Sequence, residues 1–166
     1  MISKTNRAYF RAAKAVSELS DYPQHKIGCV VVKGHRIVSS SCNSATKCHP
    51  LQAKLDTEKY GVKCPGRIHA EVSALLPFIR NNINLSGASI YIFRQHQDGT
   101  LAMARPCTSC ERIIKQLGIK KIFYTIENGY AMAGIKEGEK IKALSRQTYE
   151  AVCSFADVVL VEADGS

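Results

Sequence analysis

Four residues in two short motifs carry most of the chemistry that this sequence offers. His69 and Glu71 flank an alanine, and Cys107 and Cys110 follow a proline in the segment Pro-Cys-Thr-Ser-Cys. One imidazole and two thiolates are ligands that zinc prefers, and a catalytic zinc site keeps a fourth position for water. A carboxylate that is not a ligand can move protons at that position. We therefore expect His69, Cys107 and Cys110 to bind zinc and Glu71 to be catalytic.

Both motifs lie at predicted helix starts, which suits metal binding. Pro106 occupies the favoured first position of one helix. A spacing of three places Cys107 and Cys110 on one face of the first turn, where the helix N-terminus favours the thiolate. A structural zinc site would normally have a fourth protein ligand. A redox interpretation of the two cysteines would leave His69 and Glu71 without a role, so the pattern favours a catalytic metal.

The rest of the chain must supply the elements that position these residues. Strands separated by helices predict an α/β fold, and a hairpin near the N-terminus adds an antiparallel edge. We expect a three-layer α/β/α arrangement with a mixed five-stranded sheet, as one domain over residues 1–166. Periodicity and turn residues predict strands at 27–32, 37–41, 88–93, 121–125 and 158–161, helices at 6–19, 68–76, 106–117 and 137–152, and a long loop at 43–66 with a helical piece near 51–60.

Composition bounds the class of protein. The chain has 166 residues and is 45% hydrophobic, which fits one globular domain with a core. No apolar run approaches the roughly 18 residues that span a membrane, and the first ten residues lack a signal-peptide core. We therefore expect a cytoplasmic protein with no membrane partner. Seven cysteines cannot all pair internally, which favours metal binding or catalysis for clustered pairs.

The formal net charge of +9 bears on partners rather than on fold. It favours anionic partners, either free nucleotides or nucleic acid. A solvated surface with no partner explains the same charge equally well.

The order of these motifs resembles the cytidine and deoxycytidylate deaminase superfamily over residues 22–124. A hairpin, His-Ala-Glu opening a helix, the strand GASIYIF and the segment PCTSCERIIKQLGIKKIFY follow in the family order. The last segment is most similar to the deoxycytidylate branch. The resemblance, with the signature known for zinc deaminases, implies hydrolytic deamination of a cytosine nucleotide, dCMP to dUMP and ammonia. It assigns Zn²⁺ as cofactor, with Glu71 as the proton shuttle for the zinc-activated water.

The resemblance also implies substrate contacts. Asn43 would hydrogen-bond the sugar, although an ordinary residue ending a strand explains it too. Ala70 and the backbone near Arg105 would hold the base, and related enzymes are commonly homo-oligomers. The Arg105 side chain departs from the family, and could bind a phosphate or pair with a surface carboxylate. About ten additional residues, 95–104, form an insertion that could be a lid, an oligomer contact or a neutral loop.

Three alternatives stay open from the sequence. Cys48, His49 and Cys64 could hold a second zinc, or be reduced surface thiols. The enzyme could act on an unstacked base in RNA or single-stranded DNA, as in tRNA adenosine or cytosine editing; the charge supports this, whereas 7% aromatic residues and no Trp offer no evident stacking surface. The chain could also be a non-catalytic binding protein stabilised by zinc.

Overall fold

A mixed sheet and four helices make up residues 2–134, the part of the chain that the computed structural model describes. Each helix and strand coincides with a local pattern of apolar spacing or β-branched residues, with one exception discussed below. In chain order the elements are α1 (Lys4–Ser17), β1 (Ile27–Lys33), β2 (Arg36–Cys42), α2 (Pro50–Tyr60), α3 (Ala70–Arg80), β3 (Ser89–Arg94), α4 (Thr108–Gln116), β4 (Lys121–Ile126) and β5 (Gly129–Gly134).

The sheet has the strand order β2-β1-β3-β4-β5. β1 is antiparallel to β2 and to β3, β3 is parallel to β4, and β5 is antiparallel to β4. Ile27 at the start of β1 therefore faces Arg94 at the end of β3. The end of β2 lies beside the same start of β1, since Gly28 pairs with Cys42. The side of the sheet where β1 begins and where β2 and β3 end is here termed the sheet edge. The segments that lead into α3 and α4 leave the sheet there.

Alternation along the strands builds a core on each face of the sheet. On one face α1 packs against β1 and β3. Its residues Phe10 and Ala13 form a buried cluster with Val30, Val32, Tyr91 and Phe93. On the other face, residues of α2, α3 and α4 pack with Cys29, Val31, Ile90 and Ile92. The three layers and the mixed five-stranded sheet are those that the sequence predicts.

A glycine sets the distance between α1 and the sheet. A Cβ atom on Gly28 would overlap the carbonyl oxygen of Ala13 and approach the Ser17 nitrogen to 2.6 Å. The backbones of α1 and β1 are therefore in direct contact, a closeness that no side chain at position 28 would permit.

The fifth strand differs from the expected one. It is β5, which forms a hairpin with β4, whereas the strand expected at 158–161 and the helix expected at 137–152 lie outside the described residues. The sequence GYAMAG of β5 has no β-branched residue, so its composition did not indicate a strand. None of the helices within residues 2–134 has the length and apolar character needed to cross a bilayer.

Candidate metal centre and active site

The starts of α3 and α4 bring the predicted ligands together. His69 is the N-cap of α3 and Cys107 the N-cap of α4, so each helix begins two residues later than the sequence predicts, and Pro106 precedes the N-cap instead of holding the first helical position. Both have extended backbone and neither side chain caps its own helix. The Nδ1 atom of His69 lies 3.4 Å from the Cys110 Sγ and 3.8 Å from the Cys107 Sγ. Ligand atoms of all three residues lie within 4.8 Å of one another.

These separations suit zinc. Zn–S bonds of about 2.3 Å and Zn–N bonds of about 2.0–2.1 Å in a tetrahedron put nitrogen and sulfur roughly 3.5 Å apart. The two observed sulfur–nitrogen distances, 3.4 and 3.8 Å, lie on either side of that value. Within residues 2–134 this is the one group of three or more His, Cys, Asp or Glu side chains arranged to hold a metal. The donor set and its spacing therefore fit a zinc ion with one position left open.

The two thiols differ in acidity. A hydrogen bond from Cys110 lowers the pKa of the Cys107 thiol to about 3, although burial opposes the shift. The same hydrogen bond, together with burial, raises the pKa of Cys110. The bond to Cys107 also raises the pKa of His69. The cluster thus shares protons among three groups, and a metal ion displaces such protons when it binds.

Glu71 lies beside this cluster on the first turn of α3. Its side chain is 5% exposed, and burial raises the pKa of its carboxyl group. The charge of His69 lowers that pKa and the charge of Cys107 raises it. Burial, and after it the Glu71 charge, raises the pKa of the Cys29 thiol. A raised pKa makes the Glu71 carboxyl group a better proton acceptor than an exposed carboxylate, which suits a group that must take up and release protons.

One residue that the sequence analysis did not single out also touches the site. Gln52 on α2 is fully buried; its Oε1 accepts a hydrogen bond from the His69 N–H at 3.2 Å, and its Nε2 donates to Asp56 Oδ1 at 2.9 Å. The one signal in the sequence is a polar residue between Leu51 and Leu55, which form part of the core. α2 therefore braces the start of α3 through a buried amide.

The structure gives Asn43 a role in joining strands. Its Oδ1 accepts hydrogen bonds from the Ile27 N–H at 2.9 Å and the Ser20 hydroxyl at 2.7 Å, and its Nδ2 donates to the His25 carbonyl at 2.7 Å. Three of the hydrogen-bonding positions of this buried amide are thus occupied by the protein itself. These contacts are compatible with a residue that ends a strand, and the contact of Asn43 with the sugar stays a prediction.

Two further residues, Ala70 and Arg105, were expected to contact the substrate, and only Ala70 lies in the first turn of a helix that carries the centre. Ala70 is the first residue of α3 and is fully buried, so its backbone N–H is one of the groups at the helix start. Arg105 is exposed and lies two residues before Cys107.

The residues considered for a second zinc do not converge. Cys48 is exposed, and the Cys64 thiol lies 3.3 Å from the Val62 carbonyl oxygen. His49 is the N-cap of α2, and its Nδ1 accepts a hydrogen bond from the Leu51 N–H at 3.1 Å. Among the described residues these three side chains form no metal-binding group.

An α/β layer fold with His, two Cys and a buried Glu at two helix starts defines the class of zinc-binding deaminases. Residues 3–126 match the family described as "Cytidine and deoxycytidylate deaminase zinc-binding region". The chain belongs to this family, and zinc is the cofactor that the family and the His-Cys-Cys cluster indicate.

Two sequence relatives carry deaminase names. The chain is 31% identical over 123 residues to an uncharacterized deaminase in the luxG 3' region of Aliivibrio fischeri, covering 74% of each chain. It is 30% identical over 128 residues to the deoxycytidylate deaminase of Mycobacterium phage D29, covering 70% of this chain and 90% of the relative.

Solved structures agree on the fold. The dCMP deaminase of cyanophage S-TIM5 in apo form has a TM-score of 0.53 and 24% identity, and the match covers 75% of this chain and 84% of that one. The cytidine deaminase of Burkholderia pseudomallei has a TM-score of 0.50 and 19% identity, covering 80% and 93% respectively. At these identities the two structures support the cytidine deaminase-like fold alone.

Proposed function

We propose that this protein deaminates deoxycytidylate by hydrolysis, converting dCMP and water to dUMP and ammonia. The observation that carries the proposal is the convergence of His69, Cys107 and Cys110 beside the buried Glu71. The substrate is proposed from the relative named deoxycytidylate deaminase, which the chain matches over most of that relative's length.

The proposed metal site consists of His69 Nδ1 and the sulfur atoms of Cys107 and Cys110. When bound there, zinc supplies Lewis acidity that makes water a nucleophile at neutral pH. The three protein ligands fix its position between two helix starts, where unpaired N–H groups add to the positive potential.

Glu71 is the proposed proton carrier. Water attacks C4 of the pyrimidine ring as Glu71 accepts one of its protons and delivers that proton to N3. Glu71 then accepts the second water proton and transfers it to the amino group, which leaves as ammonia while the C4 carbonyl forms. Both protons of the water are accounted for in the uracil N3–H and in the ammonia. Burial favours this role because it keeps bulk water from competing for the protons.

A substrate panel tests the proposal, with ultraviolet absorbance reporting loss of the cytosine chromophore. The panel contains dCMP, deoxycytidine, dCTP, CMP and a single-stranded oligonucleotide containing cytosine. We expect dCMP to be the best substrate. Activity confined to the oligonucleotide would overturn the proposal and favour a nucleic-acid editing enzyme.

The variant Glu71→Gln tests the residue that moves the protons. We expect kcat on dCMP to fall by about 10²–10⁴, the usual contribution of general acid–base catalysis, with unchanged zinc content and Tm. Glu111→Gln is the matched control, because Glu111 lies in the first turn of the other helix and pairs with Lys115. A zinc-loaded Glu71→Gln enzyme with full activity would show that the assignment is wrong.

A further inference from the structure

A second feature of the sheet edge is a pocket of about 450 Å³. It opens where β1 begins and β3 ends, and part of it comes from the insertion at 95–104. Its lining residues are Gln24, His25, Arg94, His96, Gln97 and Asp98.

A chain of hydrogen bonds connects this pocket to the start of α3. The residue before His69 is Ile68, and its carbonyl accepts from the Ser44 N–H at 3.1 Å. The neighbouring Asn43 donates its side-chain amide to the His25 carbonyl at 2.7 Å. The His25 Nδ1 in turn lies 2.7 Å from Nη2 of Arg94.

Arg94 also contacts the segment that leads into α4. Its Nη1 donates to the Met103 carbonyl at 3.4 Å, four residues before Cys107. The guanidinium group therefore contacts the segment that leads to Cys107 directly, and it is connected to the segment before His69 through His25 and Asn43.

The guanidinium group of Arg94 retains donors for a ligand. Each terminal nitrogen uses one of its two N–H groups and so keeps one donor, whereas the Nε, which makes no hydrogen bond within residues 2–134, is buried. The ion pairs found in this part of the chain do not include Arg94.

The acidic groups near the pocket are already engaged. Asp98 accepts hydrogen bonds from the Thr100 N–H at 2.9 Å and hydroxyl at 2.6 Å. Glu127 lies 3.1 Å from the His96 Nε2. Arg94 thus forms no ion pair with a carboxylate among the described residues, although its charge helps to lower the pKa of nearby Glu127. Guanidinium groups bind phosphate through paired N–H donors.

We propose that this pocket binds the 5′-phosphate of the nucleotide substrate, with Arg94 as the principal contact. The insertion at 95–104 then lines one side of the phosphate site and contributes to substrate selection. The inference rests on the proposed function, since it assumes a monophosphate substrate at the same centre. It assigns to Arg94 the phosphate contact that the sequence suggested for Arg105.

The test compares a substrate with and without the phosphate. For the full-length zinc-loaded protein, kcat/KM is measured on dCMP and on deoxycytidine, and the ratio of the two values is the readout. We expect Arg94→Gln to lower this ratio at least tenfold, mainly by losing activity on dCMP. Arg94→Lys, which keeps the charge without the planar fork, should give an intermediate ratio. Arg36→Gln removes the same charge at the opposite sheet edge and should leave the ratio unchanged.

Binding of product gives a second measurement that needs no turnover. The ratio of the Kd values for dUMP and deoxyuridine, measured by calorimetry, should shift in the same direction in Arg94→Gln. A folding defect lowers both members of each pair and leaves the ratios intact, so intact ratios in Arg94→Gln and Arg94→Lys overturn the phosphate assignment. The assignment is also overturned if Arg105→Gln lowers the preference for the phosphorylated compound while the two Arg94 variants keep it. A wild-type enzyme that binds dUMP but does not deaminate dCMP refutes the proposed function instead.

Discussion

Asp21 is an exposed carboxylate that holds together two segments at the sheet edge. It accepts hydrogen bonds from the Ala45 N–H at 2.6 Å, from the Ser44 hydroxyl at 2.9 Å and from the Thr46 hydroxyl. These donors lower the pKa of Asp21 to about 2, with the Thr46 hydroxyl as the largest cause. The loop before β1 is thereby tied to the segment after β2, beside the Asn43 amide.

The pH dependence of stability should report this carboxylate. Its folded pKa lies below the value of about 3.9 expected in the unfolded chain, so the charged form stabilises the fold above that value. The stabilisation is lost as pH falls through the folded pKa of about 2. We expect Asp21→Asn to have a lower urea midpoint of unfolding than the wild type at pH 7. This difference in midpoint should shrink between about pH 5 and pH 2.

A surface glutamate serves as the control for that experiment. Glu18→Gln, at the end of α1, should show no such narrowing across the same pH range. A deficit in Asp21→Asn that grows as the pH falls would contradict the predicted sign.

Single residues differ in how far their sequence reveals their role. The grouping of His69, Cys107 and Cys110, the proposed zinc ligands, could be predicted because residue type and spacing at a helix start limit their chemistry. Asn43 and Arg94 could not be assigned in the same way. Their partners come from loops far along the chain, and the side-chain geometry depends on how the strands pair.

Among the elements, α2 contacts both segments that form the proposed metal centre. Its residue Glu58 forms an ion pair with Arg112 of α4 at 3.6 Å, and Gln52 holds the start of α3. The chain returns from α2 through Gly66, which has a φ of +72° and no room for a Cβ against the backbone of Ala53. The helix thus contacts both helices that carry the ligands.

Removing the buried amide should loosen the metal. Gln52→Leu leaves the His69 N–H and the Asp56 carboxylate without this partner, a cost of about 1–3 kcal/mol for a buried unsatisfied group. We expect zinc affinity, measured by competition with a chelator, to fall by roughly 10–100-fold, as for other outer contacts to metal ligands. Lys54→Ala on the exposed side of α2 is the control.

Measurements on the metal-free protein distinguish a role of Gln52 in positioning His69 from a role in stabilising the fold. If Gln52 only stabilises the fold, Gln52→Leu lowers the Tm of the metal-free and zinc-loaded proteins equally and leaves zinc affinity unchanged. That result would exclude a positioning role.

Elements with strong local patterns were predictable, and those built by tertiary context were less so. β1, β3 and β4 are rich in β-branched and aromatic residues, and α1 and α4 have clear apolar faces. β5 consists of Gly, Ala, Met and Tyr and forms because the edge of β4 offers hydrogen bonds. The helical piece near 51–60 was expected, but its contact with the site depends on how the loop folds back.

For the whole molecule, metal binding and folding should be coupled. The proposed ligands lie at the starts of α3 and α4, and both helices pack against the core on one face of the sheet. A metal ion that bridges the two helix starts stabilises the folded state, because the unfolded chain does not hold its ligands together.

Removal of zinc should therefore lower thermal stability. At a free zinc concentration of about 100 times the Kd, binding adds about 2.7 kcal/mol, which corresponds to a Tm change of roughly 5–10 °C for a chain of this size. Calorimetry before and after chelation measures the change. His69→Ala should lose this response to added zinc, and an equal Tm for the zinc-loaded and metal-free wild type would refute the coupling.

The position of β3 between β1 and β4 has a consequence for the order of assembly. The Nδ1 of His69 meets sulfur atoms 38 and 41 residues further along the chain. The two hairpins of the sheet can form locally, but the halves of the centre meet only when β3 joins both of them. The proposed metal centre therefore cannot assemble until the central strand has paired on both sides.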